Sequence, residues 1–445
     1  MADAGLWLNR DRRTVGFIPG TRIGDVFFFR MELCVLGLHG HLQAGIDYVA
    51  AGEPIATSIV FSGGYEDDED RGEVIFYTGH GGRQGKNARK QSVGQELKDG
   101  NLALERSCNY GIEIRVIRGL DCERSPTKRV YVYDGLYRVV ECLSEIGKSG
   151  FVVFKFKLVR IEGQEVMGSS AIKLAEELKK NALGVRPNGY LSLDISQGKE
   201  KEPVAVFNDV DSNCDPLLCE YLVSPEFASF VRKPGGRGCK CQSVCSVGCV
   251  CVNRNGGEFA YDLYGRLLKG KPLVYECGRY CGCPPSCVNR VSQKGLRHQL
   301  EIFRSSEGRW AVRSLDIILA GEFVCEFSGS LFAMEQLELE ARNGLILVDP
   351  NRLPRRWEEW GDLSMVKSDY EKPKFPSLPY VGYFIDVLRA RNVACYMSHR
   401  SSPNCFVQFV LVDHYNVAYP RLMIFAMENI PPMRELSLDY GFGDV

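Results

Sequence analysis

The sequence turns on Cys239-Lys-Cys241-Gln-Ser-Val-Cys245-Ser-Val-Gly-Cys249-Val-Cys251 and, further on, Cys277-Gly-Arg-Tyr-Cys281-Gly-Cys283-Pro-Pro-Ser-Cys287. Nine of the 18 cysteines fall in these 49 residues. Disulfides would need an oxidising compartment, and nine is an odd number. The first ten residues lack the apolar core of a signal peptide. No run reaches the ~18 consecutive apolar residues of a membrane span. Zinc is the better reading, because thiolates bind it in reducing compartments and it is normally four-coordinate. Two mononuclear sites would strand one thiolate. Three zincs need about twelve sulfur contacts, which nine thiolates supply if three of them bridge. The spacing makes a trinuclear cluster economical without proving it. Closed sites of this kind are structural, and metal binding would be part of the segment's folding energy.

Outward from this stretch, 445 residues suggest about three domains. Apolar content of 45% and charge of 25% are ordinary for globular protein. The net charge of −1 gives no chain-wide basic signature, so any nucleic-acid surface has to be local. The other nine cysteines (Cys34, Cys108, Cys122, Cys142, Cys214, Cys219, Cys325, Cys395, Cys405) are expected to be free buried thiols. With no targeting or membrane segment read, cytoplasm or nucleus is expected.

Residues 1–14 form a short charged lead. The next 150 or so alternate apolar and polar residues, with frequent glycine. Val26 to Phe29, Ile55 to Phe61, Val74 to Tyr77, Ile112 to Ile117, Arg129 to Tyr133 and Phe151 to Leu158 read as strands of a barrel or sandwich. A short helix is predicted from Gln91 to Asp99. Two loops carry more than architecture. Ser62-Gly-Gly-Tyr65-Glu-Asp-Asp68-Glu-Asp70-Arg-Gly72 is acidic and leads into a strand ending at Tyr77-Thr78. Gly79-His-Gly-Gly-Arg83-Gln-Gly-Lys86-Asn-Ala-Arg89-Lys90 is basic and glycine-rich. Taken singly, the first reads as a solvated acidic turn and the second as a flexible linker. Together they suit base recognition: aromatic faces hold a flipped base, a carboxylate accepts from cytosine's amino group, and basic residues meet phosphates.

Residues 15–166 closely resemble the SRA (SET-and-RING-associated) domain. The likeness is carried by Val15-Gly-Phe-Ile-Pro-Gly20, Gly45-Ile-Asp-Tyr48, the Ser62-to-Asp68 loop, Gly100-Asn-Leu-Ala-Leu104 and Val132-Tyr-Asp-Gly-Leu-Tyr137. The resemblance implies binding of 5-methylcytosine in DNA by base flipping. Tyr65 and Tyr77 would sandwich the base, Asp68 would accept from its amino group, and Thr78 would line the pocket. Gln43 would fill the vacated gap, and Arg83 and Lys86 belong to the basic loop expected to meet phosphates. Residues 167–193 read as a connector whose helix runs from Ser169 to Asn181, with Gly184 and Pro187 as stop signals.

The nine cysteines followed by Val288-Asn289-Arg290, and the approach through Pro203-Val-Ala-Val-Phe207, resemble a pre-SET domain, here 194–295. Residues 296–445 resemble a SET domain, through Leu300-Glu-Ile-Phe303, Gly321-Glu-Phe-Val-Cys-Glu-Phe327, Asn392 to His399 and Glu435-Leu-Ser-Leu-Asp-Tyr-Gly441. Active members hold S-adenosylmethionine, with glycine on both sides of the first-motif tryptophan. Here Arg309 and Ala311 flank Trp310, where close backbone approach is needed. Ser398 and Ser401 stand where an asparagine and a cysteine are usual, Leu438 replaces an aromatic residue, and no cysteine follows Cys405 to serve a post-SET zinc. Tyr440 and His399 survive at catalytic positions. The inserted stretches Met334 to Arg342 and Pro354 to Trp360 read as helices, with Trp357 and Trp360 expected to pack.

The sequence thus reads as a mainly β, α+β multidomain protein: SRA β-barrel, zinc-cluster pre-SET, and a β-rich pseudoknotted SET domain. The chain resembles the plant suppressor-of-variegation homologue family, in its branch without catalysis or post-SET domain. The resemblance implies a nuclear, chromatin-bound reader of methylated DNA. It would recruit silencing-complex proteins in RNA-directed DNA methylation and heterochromatin, and would hold three structural zinc ions. S-adenosylmethionine and membranes are not expected partners; histone tails are a further candidate. The alternative is an active histone-lysine N-methyltransferase that uses S-adenosylmethionine and is targeted by DNA methylation, with Tyr440 and His399 catalytic.

Overall fold

The computed structural model describes residues 7, 9, 13–50, 52–83, 90–227, 238–333, 347–365, 367–377, 380–412 and 414–442. The chain divides into two compact units, 1–174 and 175–445.

The first unit is built on β1 (Val26–Phe27), β2 (Ile46–Val49), β3 (Ile55–Phe61), β4 (Glu69–Asp70), β5 (Val74–Thr78), β6 (Glu113–Asp121), β7 (Arg129–Ile146) and β8 (Val152–Arg160). They form one eight-stranded sheet in the order β2-β3-β6-β7-β8-β5-β4, with β1 on β7. Ile59, Ile75, Val116, Tyr137, Phe156 and Leu158 are buried on it.

The strand predicted over 26–29 stops at Phe27, because Glu32 accepts from the amides of Phe28 (2.7 Å) and Phe29 (3.1 Å). Those bonds cap α1 (Arg30–Leu36) and turn the chain helical. The helix predicted over 91–99 is absent; α2 runs over Asp99–Tyr110 instead. The amides of Ser92 and Val93 donate to Gly82, and that of Gln95 to Val152, so these donors serve neighbouring segments rather than a helix. Gly100 conceals α2 from a sequence reading, since it resembles a breaker. A Cβ there would lie 3.1 Å from Ile46, so glycine lets the helix sit close on the sheet.

A buried ion network sits beneath the acidic loop. At Gly135 (φ +102°) β7 bulges, two residues there facing one step of β6. The bulge delivers the wholly buried Asp134 to Arg118 Nη1 at 2.6 Å. The same guanidinium donates to both oxygens of Asp70, each at 2.9 Å, and to the Gly72 carbonyl at 2.6 Å. The turn from β4 into β5 is fixed by this network. Asp134 also accepts from the Ser169 amide at the start of α3 (Gly168–Val185). Ile172, Ala175 and Leu178 of α3 are buried, as the helical spacing requires.

The second unit has β9 (Tyr190–Ser192), β10 (Val204–Phe207), β11 (Glu220–Tyr221), the short helix α4 (Val250–Arg254), β12 (Val274–Tyr275), β13 (Leu300–Arg304) and β14 (Trp310–Ser314). After these come β15 (Phe323–Glu326), β16 (Gly329–Ala333), β17 (Leu347–Val348), β18 (Tyr383–Arg391), β19 (Ser398–His399), β20 (Cys405–Leu411), β21 (Arg421–Ala426) and β22 (Glu435–Leu438). Among the described residues three sheets result: β19-β22-β14-β13-β10-β9, β11-β18-β16 with β17 on β18, and β12-β20-β21-β15. Each holds at least one strand from before residue 296, and of these β12 lies within the cysteine-rich segment, tying it to the β12-β20-β21-β15 sheet. Val204, Val206, Leu300, Ile302, Val312, Ile385, Ile424 and Leu436 share one core.

Of the helix predicted over 354–360, only a 3-10 turn at Arg356–Glu358 forms. Trp357 is buried and Trp360 donates to the Leu267 carbonyl at 2.8 Å, so both pack. The helix predicted over 334–342 lies outside the described residues. The nine scattered cysteines are all free, but only Cys34, Cys325 and Cys405 are buried; Cys108, Cys122, Cys142, Cys219 and Cys395 are half-buried, and Cys214 is exposed at the start of a surface turn ahead of Asp215.

Candidate functional site

Three arrangements carry chemistry. The first joins the acidic loop to the end of β5. Asp68 Oδ2 accepts from the Tyr65 amide at 3.1 Å and Oδ1 from the Thr78 amide at 2.9 Å. One carboxylate thereby fixes both segments that carry the tyrosines. Each oxygen keeps a further lone pair for another donor. Burial pushes the Asp68 carboxyl above its ordinary range, against the pull of those amides and of Arg83. Tyr77 and Thr78 are buried, and burial also pushes the Tyr77 phenol up. The Tyr65 hydroxyl accepts from the Gly81 amide at 3.1 Å.

Arg83 lies with its guanidinium 3.3 Å from the centre of the Tyr65 ring and donates to the Gly64 carbonyl. Gln43 is exposed; its carbonyl and that of Ala44 accept from Arg30. This loop borders Tyr77, whose hydroxyl would be 2.4 Å from a Cβ on Gly45. Lys86 lies outside the described residues.

Sequence reasoning missed the residues that hold the second loop. Asn101, wholly buried, accepts from the His80 amide at 2.8 Å and donates to the His80 carbonyl at 3.0 Å. Gln95 donates to the Gly79 carbonyl. A buried-polar signal is not visible in a helix whose register is itself unread, although Asn101 stands within the Gly100-to-Leu104 stretch that carries the SRA likeness.

The second arrangement is the thiol cluster. Cys239, Cys241, Cys245 and Cys249 place their sulfurs within 4.8 Å of one another; so do Cys239, Cys251, Cys277 and Cys281, and so do Cys239, Cys245, Cys277 and Cys283. Cys239, Cys245 and Cys277 recur between groups, as bridging ligands would. Cys287 is wholly buried beside them. The donor set is all sulfur and in reach of shared tetrahedral sites, so it fits zinc.

Three divalent ions among nine thiolates would leave a net charge of about −3, and donors toward sulfur offset such charge. Asn289 Nδ2 lies 3.4 Å from the Cys277 sulfur and Arg290 Nη2 3.7 Å from that of Cys283. Asn289 also bonds the Tyr275 carbonyl, and Arg290 the carbonyls of Gly278 and Cys283. The Val-Asn-Arg run after the last cysteine thus has a physical reason.

The third arrangement joins β19 to β22, paired in parallel with Ser398 opposite Ser437 and His399 opposite Leu438. His399 Nδ1 accepts from the Tyr440 amide at 3.2 Å, and the Tyr440 hydroxyl donates to the Met397 carbonyl at 3.0 Å. Burial pushes the Tyr440 phenol up. Asn404 and Ser437 bond each other's backbone. Ser398 Oγ and His399 Nε2 are buried with no partner among the described residues. Ser401 is exposed, with its carbonyl accepting from Arg356. Ala311 and Leu438 are buried. Arg309 is not packed inward: its side chain is 77% exposed and pairs with Glu307.

Residues 14–164 match the SAD/SRA domain family, 196–290 the Pre-SET motif and 309–441 the SET domain. The histone-lysine N-methyltransferase family member SUVH9 of Arabidopsis thaliana is 55% identical over 453 residues, covering 100% of this chain and 69% of that protein. The crystal structure of SUVH9 superposes with a TM-score of 0.89 at 54% identity, over 99% of this chain and 90% of that one. KRYPTONITE in complex with mCHH DNA, an H3(1–15) peptide and SAH gives a TM-score of 0.75 at 36% identity, over 99% of this chain and 86% of that one. With three domain matches in order and near-complete coverage by these relatives, the chain belongs to the SUVH family of SRA, pre-SET and SET domain proteins.

Proposed function

We propose that this protein reads 5-methylcytosine in DNA by base flipping and serves at chromatin, in the nucleus, as a scaffold that recruits silencing-complex proteins. The process served is RNA-directed DNA methylation and heterochromatin. The modules are 15–166 for the reader, 194–295 for the zinc cluster and 296–445 for a SET domain without turnover, joined by the 167–193 connector. Tyr65 and Tyr77 hold the flipped base, Asp68 accepts from its amino group, and Thr78 lines the pocket. Gln43 enters the vacated gap.

The observation that carries the reading is the Asp68 carboxylate, held by the amides of Tyr65 and Thr78. A carboxylate oriented before binding gives discrimination at low ordering cost. KRYPTONITE bound to methylated DNA, a relative of similar fold, adds support. Methylated and unmethylated duplexes of one sequence are the test. Wild type is expected to prefer the methylated one, and Asp68→Ala and Tyr77→Ala to lose the preference. Retention by both variants would overturn the pocket.

The cluster residues would hold three zinc ions, with Cys239, Cys245 and Cys277 bridging and the other six terminal. Zinc supplies structure here and no open coordination position. In the SET domain, Arg309, Ala311 and Ser398 replace the residues that would meet S-adenosylmethionine, and Ser401 replaces the cysteine that would help ligate a further zinc. The second reading, histone-lysine methyl transfer, is favoured by Tyr440 and His399, which keep their mutual bond. Histone tails would then be substrate. Transfer of methyl to a histone peptide, abolished by Tyr440→Phe, would establish it.

A further inference from the structure

The basic loop was expected to meet phosphates, yet its first cation is engaged elsewhere. Arg83 rests 3.3 Å from the Tyr65 ring centre, and its Nη2 donates to the carbonyl of Gly64, the residue before that tyrosine. Its Nε is buried with no partner among the described residues, so this edge of the group faces protein. A planar ring offers two faces, and a guanidinium stacks on one of them with its positive charge against the negative quadrupole. Tyr65 therefore has a single face left for a base. The hydroxyl of the same ring is tied to the Gly81 amide at 3.1 Å. Loop 79–83 is itself clamped by Asn101 and Gln95.

We infer that Arg83 is a positioning residue of the base pocket, holding Tyr65 against residues 81–83 and leaving it one stacking face, rather than a phosphate contact. The inference rests on the base-pocket reading and assigns a role within it. The flipped base meets a wall already backed by a cation. Methyl-dependent affinity then depends on Arg83, while the count of neutralised phosphates does not.

The two roles differ in salt dependence. Each phosphate contact adds about 0.9 to the slope of log K against log salt on duplex DNA. Full-length wild type, Arg83→Gln and Arg83→Lys would be titrated with methylated and unmethylated duplexes of one sequence at several salt concentrations. Circular dichroism would verify the folding of each. For both variants the expected result is about a tenfold loss of affinity for methylated duplex and little loss for unmethylated, with the salt slope unchanged; lysine keeps the charge but not the planar stack.

Equal loss on both duplexes with a slope lower by about one in Arg83→Gln, rescued by Arg83→Lys, would overturn the inference in favour of a phosphate contact. Unchanged affinity in both variants would overturn it too. Asp68→Ala, run alongside, separates the two levels. If that variant keeps the methyl preference, the pocket reading itself falls; if it loses the preference while the Arg83 variants keep it, only the Arg83 assignment falls.

Discussion

The base-pocket loops and the SET-type site are both built from a few side chains held by backbone, and they differ in what the holding serves. In the first, Asp68 is oriented by two amides, Tyr65 by the Gly81 amide and Arg83, and the supporting loop by Asn101 and Gln95. Orientation ends in groups suited to a ligand. In the second, the supports remain: His399 on the Tyr440 amide, Tyr440 on the Met397 carbonyl, Asn404 on Ser437. On the proposed reading, the groups those supports would present are changed. Ser398 and Ala311 would stand where a donor amide and a bare backbone serve the cofactor, and two buried polar atoms have no partner among the described residues. Interactions that stabilise a fold can persist after those that hold a ligand are gone, because a core loses stability with each contact removed, whereas an unused ligand contact does not.

This contrast can be broken most forcefully by removing metal. A zinc chelator is expected to unfold residues 238–290 and destabilise the sheet that β12 enters, since binding energy there is folding energy. Methylated-DNA binding by residues 1–174 should persist, because no candidate thiol group lies there among the described residues. Metal analysis before and after, with DNA titration, checks both halves.

Next in size is Asp134→Ala. It leaves Arg118 buried beside an incomplete partner set and should cost about 3–5 kcal/mol in the first unit. Thermal unfolding should show the loss there, with the second unit's transition unmoved.

The smallest effect concerns Asp70. Burial pushes its carboxyl up, but the Arg118 hydrogen bond and charge outweigh that and hold it below the usual range. A depressed folded pKa gives stability that is full above the unfolded value of about 3.9 and is lost as pH falls through the folded one. With the side chain 27% exposed, Asp70→Asn should cost about 1 kcal/mol at pH 6. The gap from wild type should close in acid below the folded value, which denaturant titrations at several pH values would show.

The cysteine spacing made the cluster legible, because a thiolate's preference is chemical and survives any loop path. β3, β5, β6, β7 and β8 of the first unit, and the α3 stripe, were legible from their periods, whereas the short β2 and β4 were not. Gly100 concealed α2, and the helix placed over 91–99 failed because its amides serve Gly82 and Val152. Tyr65, Asp68, Tyr77 and Thr78 could be named from sequence, and the structure brings them together. The partners that make them a unit could not: the Asp134 bulge, Asn101 on His80 and Arg83 over Tyr65 are all contacts between distant segments or across a turn, with no period to announce them.

On the proposed reading, one of the two sites still takes its ligand and the other does not. Calorimetric titration of zinc-replete full-length protein with S-adenosylmethionine tests it most directly, with methylated duplex as the positive control in the same preparation. Heat from the duplex and none from the cofactor at millimolar concentration is the predicted result. Saturable cofactor binding in the micromolar range would contradict it and restore the SET-type site to catalysis.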